Sequence, residues 1–239
     1  MEYELNENAY LRLWCPAINE RGFIMNKTKT LELTVYALFL AIMLVMGLVP
    51  GLGFIPTPVA GIVIIQVPVI LSSYFLGYKG GLLFGLVFGI TSIINCFIQP
   101  DQFAAIILNA GGINVLLLMI VCLVLPRVLI GLTTRASYDL ICKLDKTKIF
   151  AMGISAFIGT LTNTVFFLGA FYLFAKTACM SQFGAATENA LFDMMLGVVT
   201  FNGIIEAVTS VVLCTAIGQA LYRFFFEKHP MDVKLKEAK

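Results

Sequence analysis

Between Val59 and Phe97 the chain reads VAGIVIIQVPVILSSYFL, then GYKG, then GLLFGLVFGITSIINCF: two apolar runs separated by a turn holding a single lysine. Crossing the roughly 30 Å hydrocarbon core of a bilayer takes about 20 apolar residues. Only helices and closed barrels satisfy their own backbone in lipid. Neither run alternates polar with apolar, so the stretch predicts a helical hairpin that crosses the membrane twice. Lys79 marks its cytoplasmic end by the positive-inside rule.

The rest of the sequence repeats this pattern. With 59% hydrophobic and 13% charged residues, against about one quarter charged in soluble domains, the chain reads as an all-α membrane protein. Its 239 residues leave room for six transmembrane helices with short loops and no sizeable soluble domain. The first span runs from about Leu33 to Val49, the fourth from Ile113 to Leu132, the fifth from Ile149 to Ala175 and the sixth from Ala190 to Phe225. Lys27, Lys29, Lys79, Arg135, Lys143, Lys146, Lys148, Arg223 and Lys228 fall on one side of this arrangement. Both termini are therefore expected in the cytosol. Residues 1–32 form a polar N-terminal extension, 33–226 the membrane domain, and 227–239 a basic tail. A net charge of +2 says nothing about nucleic acid, because the basic residues gather at span ends.

Three segments outside the spans stand out. PGLGFIPTP (Pro50 to Pro58) is too rich in proline for a helix and too apolar for a free loop, so it is expected to fold over the outer mouth of the bundle. QPDQFAAIILNAGG (Gln99 to Gly112) reads as a lid or partly inserted loop. Thr133 to Lys148 reads as a cytoplasmic connector. Gln66 and Pro68 interrupt the second span. In the third, Gly77, Gly81, Gly85 and Gly89 recur every four residues as a surface for close helix packing.

The chemistry-bearing residues are few. Six cysteines lie scattered without metal or redox spacing, and the single His229 sits in the polar tail. No phosphate-binding glycine loop is present, and Asp193, the one Asp placed inside a span, lies near its outer end, so enzymatic chemistry, a cofactor and a metal site are not expected. Arg127 lies about 14 residues from the outer end of the fourth span, about 20 Å deep at 1.5 Å per residue, and Glu206 at similar depth in the sixth. A charge at that depth costs about 2.5–3.5 kcal/mol on insertion scales. The two either pair with each other or one meets a charged substrate, for which the planar fork of Arg127 suits a carboxylate. Asn95, Asn163 and Asn202 approach from three different spans, Asn202 and Glu206 share a face with Thr209 one turn on, and Thr160, Asn163 and Thr164 cluster ahead of an aromatic run that ends in Tyr172. Single amides in lipid often only join helices. Three of them beneath two apolar outer loops suggest a pocket open to the outside and capped by those loops.

Several segments resemble one known family. The Ala37-x-x-x-Ala41 pair, the six spans and the ordered first outer loop resemble the substrate-binding S components of energy-coupling factor (ECF) transporters. IIQVPVILSSYFLGYKGGLLFGLVFGITSIIN, PRVLIGL (Pro126 to Leu132) and GTLTNTVFFLG (Gly159 to Gly169) look like segments of the subfamily that includes the pantothenate-specific S component. The resemblance covers about Leu33 to Arg223. It implies a subunit that binds a vitamin from outside, docks through Ala37 and Ala41 on a transmembrane coupling subunit, and is driven by two cytosolic ATPase subunits as it topples in the bacterial cell membrane. It also implies substrate held by Asn95, Arg127, Asn163, Tyr172, Asn202 and Glu206, with Pro50 to Pro58 and Gln99 to Gly112 as gates. Pantothenate, with a carboxylate, an amide and two hydroxyls, suits Asn95, Asn163 and Asn202 plus an Arg, whereas Glu206 would repel the carboxylate unless Arg127 or a proton neutralises it. Folate, riboflavin and thiamine remain alternatives, as does a stand-alone transporter using Glu206 as a proton relay, although no internal repeat of the kind such carriers show is present.

Overall fold

The computed structural model describes residues 29–55, 61–109, 112–143 and 149–222. Residues 1–28 of the polar head, the basic tail with His229, Lys146, Lys148 and residues 56–60 of the first loop lie outside them. The chain order is α1 (Lys29–Leu48), β1 (Phe54–Ile55), β2 (Ile62–Val63), α2 (Gln66–Ile98) and α3 (Gln102–Asn109). Then come α4 (Gly112–Leu118 and Leu125–Ile141, joined by a π-helical turn, Met119–Val124), α5 (Ile149–Phe174), α6 (Lys176–Phe183) and α7 (Glu188–Val198 and Ile204–Tyr222, joined by a π-helical turn, Val199–Gly203). Four stretches are long and apolar enough to cross a membrane: Gln66–Ile98, Ile113–Ile141, Ile149–Phe174 and Glu188–Leu221. The apolar part of α1, Leu33–Leu48, is shorter.

The hairpin expected from Val59 to Phe97 takes a different form in its first arm. Residues 62–63 are strand, and the helix begins only at Gln66. Pro68 thus falls in the first turn, where its missing N–H removes no helical bond, rather than interrupting a span. At Gly77 helical geometry fails, with φ 68° and ψ −155°, a conformation that glycine adopts without steric cost. Beyond it the chain doubles back. A Cβ on Gly81 would stand 2.7 Å from Ser73 Oγ, although residues eight apart in a straight helix are separated by about 12 Å. The arm from Gln66 to Leu76 is then about 16 Å long, half of a crossing.

After the reversal, α2 packs along α4 through the glycine stripe. A Cβ on Gly85 would meet Val128 Cα at 2.8 Å, one on Gly89 would meet Val124 Cα at 3.0 Å, and one on Gly131 would meet Gly81 Cα at 2.6 Å. Small residues here let backbones touch. Gly77 serves the reversal instead of the stripe.

The expected connector after Leu132 is also different, since α4 stays helical to Ile141. Arg135 is 5% exposed and pairs with Asp139 at 2.7 Å. Its Nη1 donates to the carbonyls of Ser73 (3.3 Å) and Tyr74 (3.0 Å), groups left without helical partners by the break at Gly77. Polar residues that read as a loop are there to cap a neighbouring helix.

Two apolar clusters fill the interior, one around Met43, Phe84, Phe88, Tyr138 and Met152, the other around Phe103, Ile107, Cys122, Phe171 and Leu191. The described cysteines are all buried, as small packing residues. On α7 the residues Ile204, Val208 and Val212 face outward, while Asn202, Glu206, Ser210 and Cys214 face in. This is the i, i+4 division of a helix with one face in lipid. The inward residue after Glu206 is Ser210 rather than Thr209.

Candidate substrate-binding cavity

At the end of the bundle that carries α3 and the β1–β2 pair lies a cavity of about 300 Å³. Its walls include Asn95 from α2, Arg127 from α4, Asn163 and Phe167 from α5, Asn202 and Glu206 from α7, and Asp101 ahead of α3. Five of the six substrate residues named from sequence therefore share one space. Tyr172 does not line it; its ring packs 6.4 Å from Phe192 and 6.0 Å from Lys176 Nζ. The aromatic residues that line it are instead Phe54, Phe103 and Phe167. Phe167 lies five residues before Tyr172 and on another side of α5.

Arg127 is placed by its predecessor. Pro126 has no N–H, so the carbonyl of Cys122, four residues earlier, loses its helical donor. The helix widens there into the π turn, with Leu125 N–H donating to Ile120 O, and Arg127 Nη1 donates 3.0 Å to Cys122 O. The guanidinium is 4.6 Å from the centroid of Phe167 and 5.5 Å from that of Phe88, within cation–π range. Arg127 is 5% exposed, and its Nε finds no acceptor. Among the described residues no direct ion pair joins Arg127 to Glu206, so the expectation of a structural pair between them is not met. Glu206 Oε1 accepts the N–H of Val63 at 2.8 Å.

Asn163 is 4% exposed, and its Oδ1 has no donor among the protein groups. Thr160 Oγ1, one turn earlier, is likewise buried and unpartnered, and Thr164 Oγ1 donates 3.2 Å to Thr160 O. Buried polar atoms are rarely left so. Of the two unpartnered residues, Asn163 lines the cavity, where a polar ligand would complete its bonding.

Asp101 was not singled out from the sequence. Its Oδ1 accepts the N–H of Ala104 at 2.8 Å, and its Oδ2 that of Gly61 at 3.3 Å. The signal was present, since Pro100-Asp101 ahead of an apolar run has the form of a helix N-cap. Among the described residues no group of three or more His, Cys, Asp or Glu could hold a metal ion. A second, apolar cavity of about 350 Å³ adjoins the first and shares Phe103 and Asn202 with it.

Residues 31–218 match the family described as "ECF transporter, substrate-specific component". The chain belongs to this family. It is thereby a multi-pass protein of the bacterial cell membrane and a transport subunit rather than a member of an enzyme family. ECF substrate-specific components associate with ECF membrane and ATPase subunits. The chain is 30% identical over 207 residues to the "Pantothenic acid transporter PanT" of Lactococcus lactis subsp. cremoris, covering 82% of this chain and 96% of that one. It is 27% identical over 202 residues to the "Pantothenate transporter PanT" of Leuconostoc mesenteroides subsp. mesenteroides, covering 82% and 93%.

Proposed function

We propose that this ECF substrate-specific component binds pantothenate in the cavity around Arg127 and delivers it to a transmembrane coupling subunit driven by two cytosolic ATPase subunits. One observation carries the reading. Arg127, a buried guanidinium whose Nε has no acceptor, and Asn163, a buried amide whose Oδ1 has no donor, both line the same cavity. A carboxylate would complete the first through charge-assisted bonds, and a hydroxyl or amide N–H would complete the second. Pantothenate carries all of these groups. The names of the two relatives support it over folate, riboflavin or thiamine. The engagement of Glu206 by Val63 N–H speaks against a free proton relay, and so against a stand-alone secondary carrier.

In this reading the cavity faces outward. The membrane domain (33–226) forms six crossings between a polar head (1–32) and a tail (227–239), with both termini in the cytosol. The arm ahead of Gly77 and the β1–β2 pair together make the second crossing. Ala37 and Ala41 are both on the exposed face of α1, which suits a docking surface that needs small side chains. The loops around β1–β2 and α3 border the cavity as gates.

The test is a thermal-shift screen of the purified protein against a vitamin panel, since a ligand that binds the folded state raises its apparent stability. A shift with pantothenate, absent with the other three vitamins, supports the proposal. A shift with another vitamin alone refutes the substrate.

A further inference from the structure

Extended backbone within a membrane bundle must find partners for every N–H. In β2 the groups divide by the period of two that a strand imposes. Ile62 lies opposite Ile55 in the antiparallel pair, and Ile64 N–H donates 2.9 Å to Gly53 O, so the even residues turn toward β1. The odd residues turn the other way, where no strand follows. There Gly61 N–H meets Asp101 Oδ2 at 3.3 Å and Val63 N–H meets Glu206 Oε1 at 2.8 Å. Two carboxylates from different helical elements thus stand in for a missing third strand.

Along α7 the same inward face continues this attachment. Ser210 Oγ, one turn after Glu206, accepts from Gln66 Nε2 at 2.9 Å, and Cys214 Sγ, one turn later, is 3.9 Å from Val67 O. The entry into α2 is therefore fastened to α7 at successive turns, and Glu206 is the last fastening before the cavity.

We propose that Glu206 is a positioning residue: its acceptor oxygen, rather than its charge, holds the edge of β2 in place and so fixes one wall of the cavity. Asp101 does the same for Gly61. The inference builds on the reading of the cavity as the substrate site, but its first readout needs no substrate.

Hydrogen exchange of the purified full chain, followed in peptides covering residues 61–65, tests it with two variants. Glu206→Leu removes the acceptor and should speed exchange there by about tenfold or more, the loss expected when a buried N–H is left without a partner. Glu206→Gln removes the charge but keeps an acceptor, and should hold exchange within about threefold of the unaltered protein. Equal loss of protection in both variants, or unchanged exchange in Glu206→Leu, overturns the proposal. Should Glu206→Leu give no monodisperse protein, Glu206→Gln alone decides, and a loss beyond threefold counts against the proposal. Dissociation of radiolabelled pantothenate should rise in the same order, faster in Glu206→Leu than in Glu206→Gln. If the exchange order holds while the unaltered protein binds no pantothenate, the substrate reading fails and the role of Glu206 in seating β2 stands.

Discussion

Replacing Asn163 by leucine separates what the cavity needs for ligand from what the fold needs for stability. The side chain is 4% exposed, and its Oδ1 has no donor in the free protein. A buried polar atom in that condition costs about 1–3 kcal/mol. Leucine is close to asparagine in size and carries no such atom, so the free protein should be as stable as before or more so. At about 2–4 °C per kcal/mol for a chain of this size, its melting temperature should hold or rise by a few degrees. Binding should move the other way. Losing one or two hydrogen bonds of this kind weakens affinity by about 1–3 kcal/mol, or roughly 5- to 150-fold in Kd. A 100-fold loss removes about 2.7 kcal/mol of ligand stabilisation at a fixed excess of pantothenate, so the ligand-induced thermal shift should nearly vanish. The assay is a melting curve of each protein with and without pantothenate. A lower melting point of the free variant together with an undiminished ligand shift would refute the reasoning, because Asn163 would then be a structural amide.

Arg127→Lys keeps the charge but loses the planar fork and the position between Phe88 and Phe167; pantothenate affinity measured by calorimetry should fall about tenfold or more. Ala37→Leu and Ala41→Leu place bulk on the exposed face of α1 and should abolish uptake by the assembled transporter while leaving binding by the isolated subunit intact. Equal loss of both activities would contradict a docking role. Gly131→Val forces a branched side chain toward Gly81 Cα, where even a Cβ would come within 2.6 Å; the free protein should lose about 1–3 kcal/mol, read as a lower melting temperature.

The long uniform helices were legible because apolar length alone dictates them: α5 was expected over Ile149 to Ala175 and runs Ile149–Phe174. The segment before α2 was not, because Val59 to Ile65 is as apolar as a helix would be, and buried strand and buried helix look alike in a short run. The strand pairs with β1 on one side and on the other meets the carboxylates of Asp101 and Glu206, 40 and 143 residues away from their N–H donors, a pairing that no local pattern shows. Sequence shows Arg135 only as a basic residue near a span end; its capping of the carbonyls of Ser73 and Tyr74 depends on the reversal at Gly77, which no local pattern reveals. Within the cavity, four-residue spacing found Asn202 and Glu206 together on α7, and depth found Arg127. Tyr172 was drawn from an aromatic run whose facing side only the rotation of α5 decides, and Phe167 takes the place at the wall.

The most direct test of the central claim is equilibrium binding of pantothenate to the purified chain alone, without coupling or ATPase subunits, alongside Arg127→Ala. Saturable binding by the unaltered protein that the variant lacks is the predicted result. Absence of binding by the folded, unaltered protein, or binding that Arg127→Ala leaves unchanged, would contradict it.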